Sequence, residues 1–319
     1  MKKLKVVFCG TPDFSVPTLE LLSQHPSVEI VAVITMPDRP AGRGQQLKAP
    51  PVAEFAKEHK LPLYQTENIN RSPEILEILE KAQVDCFVVL AFAQFLGSKV
   101  LALPALGCFN IHTSVLPKYR GAAPIQYALL NGDKETGVTI QKMVKKMDAG
   151  DVVIFDHLAI GDHETGGQLY TRLKFQAALS CNRLIEGILQ QSLTATAQDE
   201  AGVSFAPTLN KEDGHMKFAE KSFSEIYNQV RALKPWPGTY CLLGNSRLKV
   251  LEVEAAPTSF QQKLKAGQVF ADKGMLIVGT KTEAMRLTSV QLEGKKVCSD
   301  TELLNGLKNK QESDSLVLS

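Results

Sequence analysis

The chain has 319 residues, 44% of them hydrophobic, and 36 Lys and Arg stand against 34 Asp and Glu, a net charge of +2. That length supports two cores, and the balance excludes a disordered chain or one whose charge alone would argue for nucleic acid. No apolar run reaches a membrane span, Met1–Lys3 leads into a run too short for a secretory signal, and six scattered cysteines without a C-x-x-C pair read as reduced thiols of a cytoplasmic protein.

Leu4–Cys9, Val28–Thr35, Asp85–Leu90 and Cys108–His112 are short apolar runs rich in β-branched and aromatic residues. Helical patterns fall between them, near Val16–Gln24, Val52–His59 and Pro73–Lys81. This alternation predicts an α/β fold: a Rossmann-like, mostly parallel sheet covered on both faces. Gly10-Thr11-Pro12 after the first strand lacks the remaining glycines of a dinucleotide fingerprint and reads as a tight turn at the floor of a pocket. Met36–Ala49 is oversized for a strand-to-helix loop and carries Arg39, Arg43 and Lys48 among prolines and glycines. Gly137–Lys142 and Val152–Ile160 read as further strands, Thr165–Gln190 as a long amphipathic helix and Ser192–Thr208 as a polar connector.

After Leu209 the pattern changes. A helix over Phe223–Leu233 stops before Pro235, and short strands follow at Thr239–Leu243, Leu248–Glu254, Gly267–Phe270, Met275–Gly279 and Arg286–Leu292. Close spacing of short strands predicts a small β-barrel. The expected organisation is a catalytic domain over 1–191, a linker over 192–208 and a C-terminal domain over 209–319. That last part holds 16 Lys and Arg against 13 Asp and Glu. Trp236, between two prolines, is expected to pack in the core, and Lys308–Ser319 is polar and expected to fray.

The chemistry concentrates between Cys108 and Gln126. Asn110 and His112 occupy alternate positions of a strand and so point to one face. The segments Ser114-Val115-Leu116-Pro117 and Arg120-Gly121-Ala122-Ala123-Pro124 cannot easily prolong the strand, so the pair sits where a strand opens into a loop, the usual place for a site in an α/β sheet. Asp148 and Asp151 offer a carboxylate in a small-residue turn. With no Ser or Cys nucleophile in the set, such residues suit direct group transfer, with protons placed and an oxyanion stabilised. The remaining histidines have no ligand spacing, so no metal is expected. Lys142, Lys145 and Lys146 form a second basic cluster.

Asn110-Ile111-His112-Thr113-Ser114-Val115-Leu116-Pro117 with a later Asp resembles the folate-dependent formyltransferases. Phe8–Phe14, Pro37–Gly44, Arg120–Gln126, Glu135–Ile140 and Pro235–Gly238 are similar to the members of that family that act on charged initiator tRNA. The resemblance implies transfer of a formyl group from 10-formyltetrahydrofolate to the α-amino group of methionine on initiator tRNA. It implies catalytic roles for Asn110, His112 and Asp148, with Asp148 rather than Asp151 as the base. Folate contacts would come from Phe87, Phe92, Ser114, Val115, Leu116 and Pro117. Contacts to tRNA would come from Arg39, Arg43, Lys48, Lys142, Lys145 and Lys146, with Arg43 foremost, and from an oligonucleotide-binding-like C-terminal barrel. The protein is expected to be a monomer without metal. Thr113, Val115 and Ala91-Phe92-Ala93 depart from the family pattern, in which Gly or Ala, Leu and Ala-Tyr-Gly are common. A sugar-nucleotide formyltransferase would share Asn110, His112 and Asp148, but the Pro37–Gly44 loop and Ala122–Gln126 argue against it. A non-catalytic RNA-binding module would leave the triplet unexplained.

Overall fold

The computed structural model describes residues 2–42, 44–260, 264–308 and 318. The chain divides into two compact units, one from Met1–Pro124, Glu135–Ala159 and Tyr170–Ala206, the other from Ile125–Lys134, Ile160–Leu169 and Pro207–Ser319.

The first unit is built on a seven-stranded sheet. Its early strands are β1 (Leu4–Gly10), β2 (Val28–Thr35), β3 (Arg39–Ala41), β4 (Gln46–Lys48), β5 (Leu63–Gln65), β6 (Cys86–Leu90) and β7 (Gly107–His112). They are followed by β8 (Arg120–Gly121), β9 (Glu135–Lys142), β10 (Val152–Ala159) and β11 (Phe205–Ala206). The main sheet runs in the order β10-β9-β7-β6-β1-β2-β5. It is parallel from β5 to β7 and antiparallel at β9 and β10. On one face Val7, Cys9, Ile34, Phe87 and Cys108 pack with Ile75, Leu76 and Leu79. On the other, Val6, Phe8, Val33 and Val88 have no exposed surface. Burial on both sides is why these strands read as unbroken apolar runs rather than as alternating ones.

The helices α1 (Val16–Gln24), α2 (Pro51–Glu58) and α3 (Pro73–Ala82) lie where the periodicity places them. Each carries a proline in its first turn, where the missing N–H is tolerated. Two segments depart from expectation. Met36–Ala49 is not an irregular loop: β3 and β4 pair as an antiparallel ribbon, Arg39 opposite Lys48. Its strands are three residues long, too short to show a period. Residues 192–206 fold back within the first unit, where β11 pairs in parallel with β8. A short α4 (Ser98–Leu101) is an addition that propensity does not announce.

The chain continues through α5 (Pro124–Leu130), α6 (Gly166–Leu189) and α7 (Phe223–Ala232). Within the first unit α6 buries Leu173, Ala177, Cys181, Leu184 and Ile185 along one stripe. The second unit carries an antiparallel sheet of β12 (Thr239–Leu243), β13 (Ser246–Ala255), β14 (Val269–Asp272), β15 (Met275–Gly279), β16 (Ala284–Leu292) and β17 (Cys298–Ser299). Its order is β12-β13-β16-β15-β14, with β17 on β16, so the expected barrel takes the form of a curled half-barrel. Helix α7 starts at a capping box in which the Ser222 hydroxyl accepts from Glu225 N–H and Glu225 Oε2 accepts from Ser222 N–H at 2.7 Å. Ile226 and Val230 of that helix join Cys241, Leu248, Val278, Met285, Leu287 and Val290 in one core. A final helix, α8 (Asp300–Lys308), adds Leu303 and Leu304 to it.

Trp236 departs from expectation: it is 54% exposed, and buried Val230, Ala232 and Leu233 fill the core before it in sequence. Most of Lys308–Ser319 lies outside the described residues, but Leu318 is buried in the core and bridges to Leu243, so that position is not frayed. Five cysteines are buried and free, with Cys298 partly exposed. Burial pushes the thiols of Cys108 and Cys181 up to about 12, so neither is a ready nucleophile.

Candidate active site

β7 delivers Asn110 and His112, and its antiparallel pairing with β9 sets Asn110 opposite Gln141 and His112 opposite Thr139. The strand ends at His112 because Thr139 captures the chain beyond it. The Thr139 hydroxyl donates to Ser114 O at 2.7 Å and accepts from Leu116 N–H at 3.1 Å. The Ser114 hydroxyl, itself buried, donates to Lys118 O at 2.6 Å, which closes the Ser-Val-Leu-Pro loop.

His112 is 6% exposed and its Nε2 lies 2.9 Å from the carbonyl oxygen of Tyr119. A carbonyl only accepts, so Nε2 carries the proton and Nδ1 is the ring atom left for chemistry. Nδ1 lies 3.8 Å from Asp148 Oδ2. The Asp148 carboxylate is gripped on both oxygens. Asn110 Nδ2 and Gln141 Nε2 donate to Oδ1 at 3.2 and 3.0 Å, and the Gly121 N–H donates to Oδ2 at 2.9 Å. Asp148 reaches this position with φ of 49°, in the left-handed region that Asp tolerates better than most side chains. Gly121 must be glycine for two reasons: its φ is +126°, and a Cβ there would lie 2.6 Å from the Ala206 carbonyl oxygen.

The structure thus brings Asn110, His112 and Asp148 together. Asp151, the competing carboxylate, is exposed, and its contact with β9 is through its backbone oxygen, which accepts from Lys142 N–H at 2.8 Å. Gln141 completes the grip and had no sequence signal beyond its place on an apolar strand. Arg120 and Gln198 enter the same neighbourhood, the latter from a segment that reads as a plain connector.

The remaining predicted positions divide. Phe87 and Phe92 are buried in the core beneath the strand ends, and a side chain with 0% or 2% exposure offers a ligand almost no surface. The exposed groups after β6 are Ala91, Ala93 and Phe95. Leu116 is buried, while Val115 and Pro117 are partly exposed. Arg39 and Lys48 are exposed on the β3–β4 ribbon, Arg39 lying 3.6 Å from Glu67. Arg43 lies outside the described residues. Lys142 and Lys145 are exposed. Lys146 donates to Glu200 at 3.0 Å, and with Arg120 it holds the Glu200 carboxyl down at about 2, the Arg120 hydrogen bond being the larger cause.

Residues 2–183 match the family model described as formyl transferase, and residues 208–308 match that of the formyl transferase C-terminal domain. The chain belongs to the formyl transferase family. Among the relatives of this formyl transferase is the methionyl-tRNA formyltransferase of Geobacter metallireducens, 39% identical over 96% of each chain. The methionyl-tRNA formyltransferase of Staphylococcus aureus is 35% identical over 96% of this chain and 97% of that one. The fold recurs in an N-formyltransferase from Helicobacter canadensis solved with folinic acid and dTDP-3-aminofucose. That structure is 19% identical with a TM-score of 0.65, over 90% of this chain and 99% of that one. It recurs again in HypX from Aquifex aeolicus in complex with tetrahydrofolic acid, 14% identical with a TM-score of 0.59, over 100% of this chain and 51% of that one. Among the described residues, no helix of the formyl transferase is long and apolar enough to cross a membrane.

Proposed function

We propose that the chain transfers the formyl group of 10-formyltetrahydrofolate to the α-amino group of methionyl-initiator tRNA, giving N-formylmethionyl-tRNA for translation initiation. The observation that carries this reading is the Asn110–His112–Asp148 cluster, held by one set of hydrogen bonds in a chain whose full-length relatives bear that enzyme's name. The folate co-substrate supplies an activated formyl carbon. The apolar groups exposed after β6 and the Val115–Pro117 edge suit a flat heterocycle there.

The residues of the chain divide the proton work. With the ring of His112 neutral, Nδ1 and Asp148 Oδ2 are both acceptors facing one another at 3.8 Å. A substrate N–H entering between them meets two acceptors, which orients the amine and gives its proton a destination on Asp148. As the nitrogen bonds to the formyl carbon, the formyl oxygen gathers charge. Asn110 has a second amide hydrogen beyond the one given to Asp148, and His112 gains an Nδ1–H when the amine proton passes to it from Asp148; both are suited to stabilise that oxyanion. When the C–N10 bond breaks, the leaving nitrogen collects one proton, delivered by His112 or by water, and the proton given up by the amine balances it. Holding both substrates in one cleft supplies much of the acceleration.

Arg39, Arg43, Lys48, Lys142, Lys145 and Lys146 would grip the phosphates of the acceptor arm, and the C-terminal unit would hold the rest of the tRNA. A role in translation initiation would put the enzyme in the cytoplasm, and we read it as a monomer whose Asn110, His112 and Asp148 meet within one chain. The test is folate-dependent formylation of charged initiator tRNA alongside a tRNA gel shift. Binding without formylation would leave an RNA-binding module, and formylation of a sugar-nucleotide amine alone would assign the other branch of the family.

A further inference from the structure

Arg120 is a charged side chain with only 2% exposure. Its Nε and Nη2 donate to Gln198 Oε1 at 3.1 and 2.8 Å, and Nη2 also donates to Glu200 Oε1 at 2.8 Å. A guanidinium only donates, so the Gln198 atom that meets it must be the oxygen. The amide nitrogen is thereby turned to the other side. There it donates to the backbone carbonyl oxygens of Asp148 at 2.9 Å and Gly150 at 2.7 Å. The Gly150 N–H is taken by Gln141 Oε1 at 2.9 Å, and a Cβ on Gly150 would overlap the Lys142 carbonyl. Two glutamine side chains therefore tie the backbone of the turn in which Asp148 sits at φ 49°. β8 holds the same aspartate twice: Gly121 N–H grips the carboxylate, and Arg120 braces the amide that grips the carbonyl.

We propose that Gln198, braced by Arg120, is a positioning residue that holds the Asp148 carboxylate in register with Asn110 and His112. The proposal rests on the reading given under Proposed function. Gln198 bonds the backbone of the turn and, at 3.4 Å, donates to Oε1 of Gln141, whose own amide nitrogen donates to the carboxylate, so it acts on the carboxylate through these two supports. Its chemistry is specific: Glu at this place would still pair with Arg120 but would set a lone pair against two carbonyl oxygens. Ala would leave two carbonyls and a buried guanidinium short of partners, and a turn held in a sparsely populated conformation would relax.

The test compares the parent with Gln198→Ala, Gln198→Glu and Asp199→Ala. Asp199 caps Ala201 N–H at 3.0 Å on the same segment, so its loss loosens that segment without removing the amide. Two readouts are used: steady-state formylation with separate kcat and KM for tRNA and folate, and hydrogen exchange over residues 143–152. The kcat of Gln198→Ala should fall about 10- to 100-fold, that of Gln198→Glu at least as far, and both KM values should stay within about twofold, because misplacement by about an ångström acts on the reacting geometry rather than on binding. Exchange in the turn should rise about tenfold, while Asp199→Ala leaves kcat and turn exchange within about twofold of the parent. A lowered melting temperature with unchanged kcat per folded molecule would reduce Gln198 to a structural support and overturn the proposal, as would equal losses in Asp199→Ala. If the parent itself formylates nothing, the functional reading falls, and unchanged turn exchange in Gln198→Ala would then sink the clamp on its own.

Discussion

Asp148→Asn separates the chemistry of the carboxylate from its structural role, because it changes one oxygen to an amide nitrogen at nearly constant volume. In the parent, Oδ1 accepts from Asn110 and Gln141 and Oδ2 accepts from the Gly121 N–H. An asparagine has a single acceptor oxygen. Set at the Oδ1 place it keeps two bonds, but its NH2 group then faces the Gly121 N–H, donor against donor. One lost hydrogen bond with an unpaired, partly buried donor is worth about 1–3 kcal/mol. At about 2–4 °C per kcal/mol for a unit of this size, the melting temperature should fall by roughly 2–12 °C. Loss of the general base should lower kcat by about 10²- to 10⁴-fold, or about 3–5 kcal/mol of barrier. The catalytic loss is therefore expected to exceed the structural one, and thermal melts report the folded fraction by which rates are corrected. The assay is single-turnover formylation at saturating substrates, with filter binding for tRNA affinity. A folded Asp148→Asn enzyme that turns over within about threefold of the parent would remove Asp148 as the base and refute the mechanism.

Ala93 stands at φ 62° and is exposed, so Ala93→Gly should relieve left-handed strain of about 1 kcal/mol, partly offset by the greater unfolded-state entropy of glycine, and raise the melting temperature by about 1–2 °C; a fall would show that the strain is not there. At Asp300, burial alone would raise the carboxyl, but Arg286 and the N–H groups of Leu276 and Thr301 outweigh it and hold it below the ordinary carboxylate value. That pair contributes in full above about pH 4 and is lost as pH falls through the lowered folded value, so Asp300→Asn should destabilise the second unit by about 3 kcal/mol at pH 7, with a gap to the parent that narrows in acid. A gap independent of pH would contradict this. Arg43→Ala should weaken use of charged tRNA and reduce the salt slope by about 1 while the KM for folate stays constant; an effect on folate alone would make the β3–β4 ribbon a folate lid instead.

The main strands and helices of the first unit were legible because a strand buried on both faces is an unbroken apolar run, as Leu4–Gly10 shows, and a helix of ten residues carries its own period, as Pro73–Ala82 shows. The β3–β4 ribbon escaped because three-residue strands have no period to read, and α8 because its short apolar stripe follows a tract of turns. Trp236 misled because apolar character says what a side chain would gain from burial, not whether the core has room for it.

The candidate site divides in the same way. Asn110 and His112 lie two residues apart on one strand, so local stereochemistry alone sets them on a common face, and the sequence by itself determined that half of the cluster. The resemblance chooses Asp148 over Asp151, but the physical reason is tertiary: the turn brings the Asp148 carboxylate to Asn110 and leaves Asp151 exposed. Gln141, Arg120 and Gln198 were decided by tertiary structure only. Their partners lie 7, 78 and 50 residues away along the chain, and a hydrogen bond depends on separation in space, to which no local periodicity refers.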